Sequence, residues 1–331
     1  MKAVVQERYG SPEALQVREV DQPVAAGNEV LVRVHAAAVN AYDWHLMRGV
    51  PYLARLMSPA DFGRGGPVAP IRGRDFAGRV DAVGGEVTRF QPGDEVYGDL
   101  GSANGAFAEY ARVPDDAVDP KPANLTFEQA AAIPLAANTA LMGLRDVARL
   151  RAGQHVLVNG ASGGVGTFAV QIAKAYGAEV TGVCSTRNVD LVRSVGADHV
   201  IDYTREDFTR GGRRYDVVFD LVGNHSLTAF RRALTPGGTL VLSGGGVPGE
   251  GRVVGPMSLM MRAPLLSRFV RDRLIVLAER PSRKNLATLR ELAESWKLTP
   301  VIDRTYPLSE VADAIRYLES EHARAKVVIT M

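Results

Sequence analysis

The stretch that decides the fold is Val156-Leu157-Val158-Asn159-Gly160-Ala161-Ser162-Gly163-Gly164-Val165-Gly166, which continues into Thr167-Phe168-Ala169-Val170-Gln171-Ile172-Ala173-Lys174. An apolar run that breaks into glycines and then resumes predicts a strand, a tight turn and a helix. Glycines at such a turn let the backbone approach a pyrophosphate, and the N–H groups that open the helix attract an anion. The stretch therefore predicts a dinucleotide site.

This loop departs from the G-x-G-x-x-G pattern at its first position, where Ala161 replaces glycine. A merely structural turn is the alternative interpretation. We favour cofactor binding because the preceding strand, the following helix and a second strand at residues 179–183 supply the context that the fingerprint requires. The expected contacts come from Ala161, Ser162, Gly163, Gly164, Val165 and Gly166.

The composition limits the classes of partner. Among 331 residues, 39 Lys and Arg face 37 Asp and Glu, so no charge imbalance favours nucleic acid or a membrane surface. The chain shows neither a signal-peptide pattern nor an apolar run long enough to span a bilayer, and we expect a cytoplasmic protein without either partner. Cys184 is the only cysteine, which excludes an intramolecular disulfide and any multi-cysteine zinc site.

Turn-separated strand patterns in the N-terminal part predict a strongly bent antiparallel sheet or partial barrel. A break at Pro120, Pro122 and Asn124 is followed by Thr126, which begins a helix with a capping-type sequence, and we place a domain boundary there. The predicted strands before this boundary lie at residues 3–6, 15–20, 29–38, 78–83, 95–98 and 106–113.

Beyond residue 130, helices alternate with apolar strands, which indicates a doubly wound parallel sheet. Six strands complete a Rossmann domain, at residues 155–159, 179–183, 199–201, 215–221, 239–242 and 274–277. The tail after residue 297 returns to strand character and has no place in that sheet. We infer that it rejoins the N-terminal domain, which gives domains of residues 1–124 with 297–331, and 125–296.

Several motifs spread over the chain are specific enough to indicate a family. They are Val39-Asn40-Ala41-Tyr42-Asp43-Trp44, Gly73-Arg74-Asp75-Phe76-Ala77-Gly78, Phe90-Gln91-Pro92-Gly93-Asp94, Gly196-Ala197-Asp198-His199-Val200-Ile201-Asp202-Tyr203 and Ala323-Arg324-Ala325-Lys326-Val327-Val328-Ile329. With the glycine-rich turn, they resemble the medium-chain dehydrogenase/reductases, and within them the zinc-free quinone oxidoreductases related to zeta-crystallin. The resemblance implies a discontinuous GroES-like catalytic domain and a Rossmann domain, with a cofactor cleft between them.

The same resemblance separates two chemistries. Zinc alcohol dehydrogenases place a Cys ligand where Asn40 stands and a His-Glu pair where Arg74 and Asp75 stand. Asn40, Arg74 and a single cysteine cannot assemble a tetrahedral Cys/His site. We therefore expect no metal, and hydride transfer without a metal Lewis acid.

The residues after the second Rossmann strand address the choice of cofactor. An acid near the end of that strand accepts hydrogen bonds from the ribose of NAD, whereas this strand ends Val183-Cys184-Ser185-Thr186-Arg187. Ser185 can donate to a 2′-phosphate and Arg187 can neutralise it, so we expect NADPH. A solvated loop charge at Arg187 is the alternative. Tyr203 resembles a family tyrosine beside the adenosine phosphate, and is otherwise an ordinary strand-end aromatic.

Without zinc, the expected acceptor is a quinone or the β-carbon of an α,β-unsaturated carbonyl compound, because conjugation already activates it. The protein then positions the reactants and stabilises the oxygen charge that develops. Resemblance places Asn40 at the nicotinamide end, where its amide holds the ribose or donates to the substrate; an Asn that ends a strand at a turn is the alternative. Tyr42 would donate to the substrate oxygen, and Asp43 would orient its neighbours.

Further cofactor contacts are expected at strand ends. Thr139 resembles a threonine near the nicotinamide ribose, although Asn138 beside it departs from the small residue expected there. The ends of the fourth and fifth strands border the crevice of such a sheet, unless their glycines only make turns. The candidates at these two ends are Val222, Ser243, Gly244 and Gly245.

Three segments carry expectations about substrate and assembly. Residues 49–71 and 256–266 are apolar enough to line a pocket for a bulky apolar substrate, and the second segment equally suits helix packing or a subunit interface. Residues 274–277 form an apolar edge strand through which we expect a homodimer. The alternative functions are an enoyl or carbonyl reductase of a biosynthetic pathway, and a non-catalytic relative that binds NADPH as a sensor or contacts RNA.

Overall fold

The computed structural model describes residues 1–63, 65–244, 257–320 and 323–331. Its contacts separate two compact units: unit 1 comprises residues 1–138 with 280–331, and unit 2 comprises residues 139–279. Within the described ranges, no helix is long and apolar enough to cross a membrane.

The elements are numbered in chain order. The strands are β1 (Lys2–Gln6), β2 (Leu15–Glu19), β3 (Glu29–Val39), β4 (Asp75–Val83), β5 (Glu95–Asp99), β6 (Tyr110–Pro114), β7 (Val118–Pro120), β8 (His155–Asn159), β9 (Glu179–Cys184), β10 (His199–Asp202), β11 (Tyr215–Asp220), β12 (Leu234–Leu242), β13 (Arg273–Val276), β14 (Ile302–Pro307) and β15 (Lys326–Thr330). The helices are α1 (Ala41–Arg48), α2 (Tyr52–Met57), α3 (Pro59–Phe62), α4 (Phe127–Ala131), α5 (Pro134–Leu141), α6 (Gly164–Ala175), α7 (Val189–Ser194), α8 (Leu227–Ala233), α9 (Met257–Ser267), α10 (Arg283–Glu294) and α11 (Val311–Ser320).

Unit 2 is built on a parallel sheet of six strands in the order β10-β9-β8-β11-β12-β13. If the six strands are renumbered from β8 as strand 1 in chain order, the sheet order is 3-2-1-4-5-6. This is the strand order of a Rossmann fold, which confirms the predicted fold class. Val156, Leu157 and Val158 of β8 are fully buried, as an apolar run in a parallel sheet predicts. The strand order reverses between β8 and β11, and the glycine-rich turn follows β8 at this reversal.

Unit 1 is built on a seven-stranded sheet in the order β14-β15-β3-β4-β5-β7, with β6 also pairing with β3. Every pairing in it is antiparallel except that of β14 with β15. The core side chains include Val32, Phe76 and Val96, none of which is exposed to solvent. This sheet is the mainly antiparallel domain that the sequence predicts.

The C-terminal tail joins the sheet of unit 1, again as predicted. β15 pairs with β3 so that Val327 lies opposite Val39. Lys326, the first residue of β15, is thereby brought beside Asn40, which follows β3 directly. A contact between residues almost three hundred positions apart thus follows from this one strand pairing.

The two compact units divide the chain at different residues from the predicted boundaries, which stay a prediction. Helix α10 shows the reason, because it packs on β7 of unit 1. The Tyr97 hydroxyl donates to the Leu286 carbonyl at 2.7 Å, and the Asn285 amide donates to Asn138 Oδ1 at 2.7 Å. The helix period of α10 is visible in the sequence, but these contacts are not.

The two apolar segments singled out in the sequence differ in their surroundings. Within residues 49–71, Tyr52, Leu56 and Met57 of α2 are exposed. In the other segment, residue 256 lies outside the described residues, and the rest falls in α9. There Ala263 is buried, and Leu259 and Leu266 pack against the core of unit 2, so helix packing accounts for these two leucines.

Candidate cofactor and catalytic sites

Two glycines of the glycine loop, defined here as residues 160–166, are required by the atoms packed around them. Gly160 has a positive φ of 88°, and a Cβ there would lie 2.8 Å from Cγ2 of Val222. A Cβ on Gly166 would lie 2.1 Å from the Gly160 carbonyl oxygen, so only glycine lets α6 approach the turn this closely. Local backbone geometry therefore explains both residues.

Gly163 has a different explanation. Its φ of −80° is open to any residue, and the nearest atom to an added Cβ is the Gly160 oxygen at 3.4 Å, an ordinary contact. Gly163 is also the N-cap residue of α6, a helix of 12 residues, and offers it no side-chain cap. The space beside Gly163 is thus open, and a Cβ would occupy it. Open space at a helix N-terminus is where a pyrophosphate binds in dinucleotide sites.

The turn after β9 is tied to the glycine loop by Asn188. The Asn188 side-chain amide donates to Ser162 Oγ at 3.1 Å and to Ser185 Oγ at 3.3 Å. Arg187 is exposed in the same turn, and Tyr203 is exposed after β10. The structure thus brings Ser162 and Ser185, two of the predicted cofactor contacts, around one side chain that the sequence did not single out.

No acid ends β9 itself, yet the structure brings one from the neighbouring strand. Asp202, the last residue of β10, is in register with Cys184, the last residue of β9. Its carboxylate accepts a hydrogen bond from the Thr186 hydroxyl at 2.6 Å. A carboxylate therefore lies beside the turn that carries the predicted cofactor contacts Ser185 and Arg187.

The remaining predicted cofactor residues of unit 2 lie at several positions. Val222 contacts the Gly160 turn, and its N–H donates to Asp220 Oδ1 at 3.2 Å. The Ser243 N–H donates to the Asp220 carbonyl at 3.0 Å, which places Ser243 and Gly244 beside the end of β11. Thr139 is buried in α5. Gly245 lies outside the described residues.

Unit 1 contains a buried charge cluster, defined here as Asn40, Asp43, Arg72, Arg74, Asp75, Asp99 and Lys326. Each of these residues is at most 6% exposed, although six of them carry ionisable groups. Three acids face three bases, so the charges balance. Burial of such groups is costly unless they pair with one another and are hydrogen-bonded.

Asn40 is held at both ends of its amide. Its Oδ1 accepts a hydrogen bond from the Lys326 ammonium, and its Nδ2 donates to Asp75 Oδ2 at 3.0 Å. Asp75 Oδ1 accepts the Leu135 N–H at 3.1 Å, and Lys326 Nζ lies 3.8 Å from Asp75 Oδ2. Burial raises the pKa of Asp75 and lowers that of Lys326. These contacts fix the orientation in which the Asn40 amide is presented.

Asp43 lies in the first turn of α1. Its Oδ2 accepts the Asn40 N–H at 2.7 Å, so the predicted orienting role has a concrete contact. Burial raises the pKa of Asp43 to about 6, against the opposing effect of its cationic neighbours. Among the described residues, no hydrogen-bond partner is found for Asp43 Oδ1 or for the two terminal nitrogens of Arg72. Arg72 is held through Nε, which donates to Gln6 at 2.7 Å.

Tyr42 is the predicted catalytic residue with a partly exposed side chain. The Arg74 guanidinium lies 4.7 Å from its ring centroid and is fixed by hydrogen bonds of 2.8 and 2.6 Å to Asp99. Burial, together with the Asp61 carboxylate to which its hydroxyl is hydrogen-bonded, raises the pKa of Tyr42. The phenol therefore stays protonated at neutral pH and can donate a hydrogen bond.

Two other observations bear on candidate ligands. His45 stacks on Trp44 with ring centroids 3.7 Å apart, and its Nδ1 contacts the Val50 carbonyl at 2.9 Å, so its surroundings are those of a structural histidine. In the ranges that the structure describes, no group of three or more His, Cys, Asp or Glu side chains is arranged to hold a metal ion.

The chain was compared with known proteins. Residues 26–123 match the model of the alcohol dehydrogenase GroES-like domain, and residues 195–329 match a model described as zinc-binding dehydrogenase. The mouse mitochondrial NAD(P)H oxidoreductase RTN4IP1 is 36% identical, over 100% of this chain and 89% of its own length. The NADPH-dependent alkenal/one oxidoreductase of Arabidopsis thaliana chloroplasts is 34% identical, over 99% of this chain and 79% of its own length.

The solved structures agree with these relatives. The Escherichia coli quinone oxidoreductase, crystallised in complex with NADPH, has a TM-score of 0.83 and 26% identity, with all of both chains covered. The expected cytoplasmic location is wrong by the same comparisons, because the relatives include mitochondrial and chloroplastic proteins. A balanced composition does not distinguish these compartments.

The matches span both units, and they agree with the Rossmann order of unit 2 and the antiparallel sheet of unit 1. A relative with more than 30% identity covers the whole chain. A nicotinamide cofactor is consistent with the glycine loop and with the NADPH complex of the bacterial relative. The chain therefore belongs to the quinone oxidoreductase family of the medium-chain dehydrogenase/reductases.

Proposed function

We propose that this protein is an NADPH-dependent reductase of quinones or of the C=C bond of α,β-unsaturated carbonyl compounds, and that it works without zinc. The observation that carries the proposal is the chemistry of the buried charge cluster. Where a zinc enzyme would need thiolate and imidazole ligands, Asn40 and Arg74 present donors that are hydrogen-bonded to protein oxygens. Such groups serve a reaction that needs fixed dipoles rather than a metal.

When bound, the cofactor supplies a hydride to the activated acceptor. The residues of this chain contribute orientation and charge stabilisation. The Tyr42 hydroxyl, which burial and the Asp61 carboxylate keep protonated at neutral pH, turns its one proton from Asp61 to the oxygen on which negative charge develops. The Arg74 guanidinium packs on the Tyr42 ring. The hydrogen bond from Lys326 fixes the orientation of the Asn40 amide and therefore of its dipole. The one proton that completes the reduction comes from solvent.

The relatives support the choice of acceptor. The Arabidopsis relative is an NADPH-dependent alkenal/one oxidoreductase. The Escherichia coli relative is a quinone oxidoreductase that was crystallised with NADPH. The exposed Tyr52, Leu56 and Met57 of α2, in the segment that follows α1, favour an acceptor with bulky apolar substituents. Saturated ketones lack the conjugation that makes hydride addition favourable without a Lewis acid.

The test is NADPH oxidation by the purified protein with quinones, enones, enals and saturated ketones, accompanied by metal analysis. We expect turnover with the conjugated acceptors and less than stoichiometric zinc. Turnover confined to saturated alcohols or ketones, or one zinc per chain, would contradict the proposal. Tyr42→Phe is expected to lower kcat/KM with the best acceptor by roughly tenfold or more, because one oxyanion donor is lost.

We further propose a homodimer that pairs β13 edge to edge. This strand is the last in the sheet of unit 2, and such an edge presents unpaired backbone groups to a second chain. Light scattering is expected to give twice the mass of one chain, and Ile275→Pro is expected to lower it. A monomer at micromolar concentration would contradict this.

A further inference from the structure

The Asp202 carboxylate lies at the end of β10, next to the strand whose end carries the ribose-binding acid in other dinucleotide-binding sheets. In dinucleotide-binding sheets the acid that accepts the ribose hydroxyl follows the second strand, which is β9 here. Asp202 ends β10, in register with Cys184 at the end of β9. Since the carboxyl ends of parallel strands share one edge of the sheet, its charge lies beside the turn that begins at Ser185.

Both oxygens of this carboxylate are already used by the chain. Asp202 Oδ2 accepts from the Thr186 hydroxyl at 2.6 Å, and Arg205 Nε lies 3.4 Å from the same oxygen. Asp202 Oδ1 accepts from the Thr204 N–H at 3.0 Å and from the Thr204 hydroxyl at 2.8 Å. The hydrogen bond from Thr186 lowers the pKa of Asp202, so the group is ionised at neutral pH.

We propose that Thr186 masks the Asp202 carboxylate and thereby sets the preference for NADPH over NADH. This inference rests on the proposed function and names a specificity determinant for it. A threonine hydroxyl has one proton, and here that proton is committed to Asp202 Oδ2. Were this oxygen released, it would accept a hydrogen bond from the ribose 2′-hydroxyl of NADH, which the 2′-phosphate of NADPH cannot donate.

The hydrogen bond from Thr186 to Asp202 starts in the turn that carries the predicted phosphate contacts. Ser185 and Arg187 flank Thr186 in sequence, and Asn188 links Ser185 to Ser162 of the glycine loop. A bond from Thr186 to the neighbouring strand therefore also holds this turn in place. Masking and turn anchoring differ in one respect, because only masking depends on the Asp202 carboxylate as a hydrogen-bond acceptor for the ribose.

That difference defines the variants. Thr186→Val removes the donor and keeps the shape, whereas Thr186→Ser keeps the donor. Thr186→Val combined with Asp202→Asn removes the donor and the charge together. Thr209→Val is the matched control, because Thr209 donates its hydroxyl to Asp207 at 2.8 Å in a ring like that of Thr204 with Asp202.

The readout is equilibrium binding, measured by fluorescence titration with NADPH and NADH and by thermal shift with 2′-phospho-ADP-ribose and ADP-ribose. We expect Thr186→Val to reduce the NADPH-to-NADH affinity ratio by roughly tenfold, the scale of the one hydrogen bond that the released oxygen accepts from the ribose 2′-hydroxyl. The ratio should return to the wild-type value in the double variant. It should be unchanged in Thr186→Ser and in Thr209→Val.

An unchanged ratio in Thr186→Val would overturn the inference, and so would a double variant that keeps the reduced ratio, since anchoring would then explain the loss. These outcomes leave the proposed function standing, provided that wild type still prefers NADPH. A wild-type protein that binds neither nucleotide would instead refute the proposed function. Thr186→Ser keeps the test valid if the valine variant fails to fold, because loss of preference in a folded serine variant also contradicts masking.

Discussion

The glycine loop of unit 2 and the buried charge cluster of unit 1 are both candidate sites, but they are built differently. The loop is assembled from seven consecutive residues, and backbone geometry and close packing explain Gly160 and Gly166. The cluster joins side chains from β4, α1, β15 and the ends of neighbouring strands, and charge pairing holds it together. A loop of the first kind can be read from a sequence pattern, whereas a cluster of the second kind needs the tertiary structure.

The strongest test of this difference is the loss of one charge from the cluster. Lys326→Met leaves the Asp75 carboxylate buried without its ammonium partner, which typically costs about 3–5 kcal/mol in the free energy of unfolding. Lys121→Met is the matched control. Lys121 is nearly as buried, but the acid it pairs with, Glu95, is partly exposed and water can replace the lost partner.

Urea unfolding of the two lysine variants measures the contrast. The Lys121 variant is expected to lose about 1 kcal/mol or less, as for pairs that water can reach. Equal losses in the two variants would show that Lys326 is no more than an ordinary buried lysine. Restoration by Lys326→Arg would show that charge, rather than the shape of the lysine, is what the cluster requires.

The second test uses pH. Burial raises the pKa of Asp43 from 3.8 to about 6, so the folded protein holds this proton more tightly than the unfolded chain does. The contribution of Asp43 to the stability of the wild type therefore falls as pH rises from about 4 to about 6, by up to about 3 kcal/mol for two pH units, and the loss is complete above that range. Asp43→Asn has no such loss, because its amide does not titrate.

The difference in unfolding free energy between Asp43→Asn and wild type should therefore grow in favour of the variant from pH 4 to pH 7 and then level off. Asp190→Asn is the control, because the Asp190 side chain is fully exposed. Its profile should run parallel to that of wild type. A parallel profile for Asp43→Asn as well would show that the cationic neighbours, rather than burial, govern this carboxyl.

Most of the fold could be predicted because its signals are local. The six parallel strands are apolar runs bounded by turns, and the capping box at Thr126 and Gln129 is present as the sequence indicates. The return of the tail to the first sheet follows by elimination, since six strands already complete the Rossmann order. The compact division of the chain was harder, because it depends on contacts such as that of Tyr97 with Leu286.

The candidate sites were predicted less completely, for two physical reasons. Lys326 precedes the apolar run Val327-Val328-Ile329, and only the pairing of β15 with β3 shows that its ammonium meets Asn40. Asp202 lies outside the dinucleotide fingerprint, which concerns the end of β9 alone. The adjacency of β9 and β10 is itself predictable from the Rossmann order, so the position of Asp202 beside the end of β9 follows from the sequence.

The smallest expected change in stability is that of Gly163→Ala, which tests whether the glycine loop contacts a cofactor. Gly163→Ala adds a methyl group that meets only the Gly160 oxygen at 3.4 Å, so the folded protein tolerates it. The unfolding free energy should change by less than about 1 kcal/mol, since alanine is a somewhat poorer N-cap than glycine. Nucleotide affinity should nevertheless fall by about tenfold, or 1.4 kcal/mol, because the methyl occupies the space of the pyrophosphate.

Gly166→Ala is the contrasting variant. Its methyl would lie 2.1 Å from the Gly160 oxygen, so it should destabilise the fold by about 1–3 kcal/mol as an overpacked site does. Unfolding and nucleotide titrations on both variants separate the two roles. If Gly163→Ala binds NADPH as wild type does, no phosphate approaches this glycine, and the loop is a packing turn like its neighbours. If it loses affinity while keeping its stability, Gly163 is the residue through which the loop contacts its cofactor.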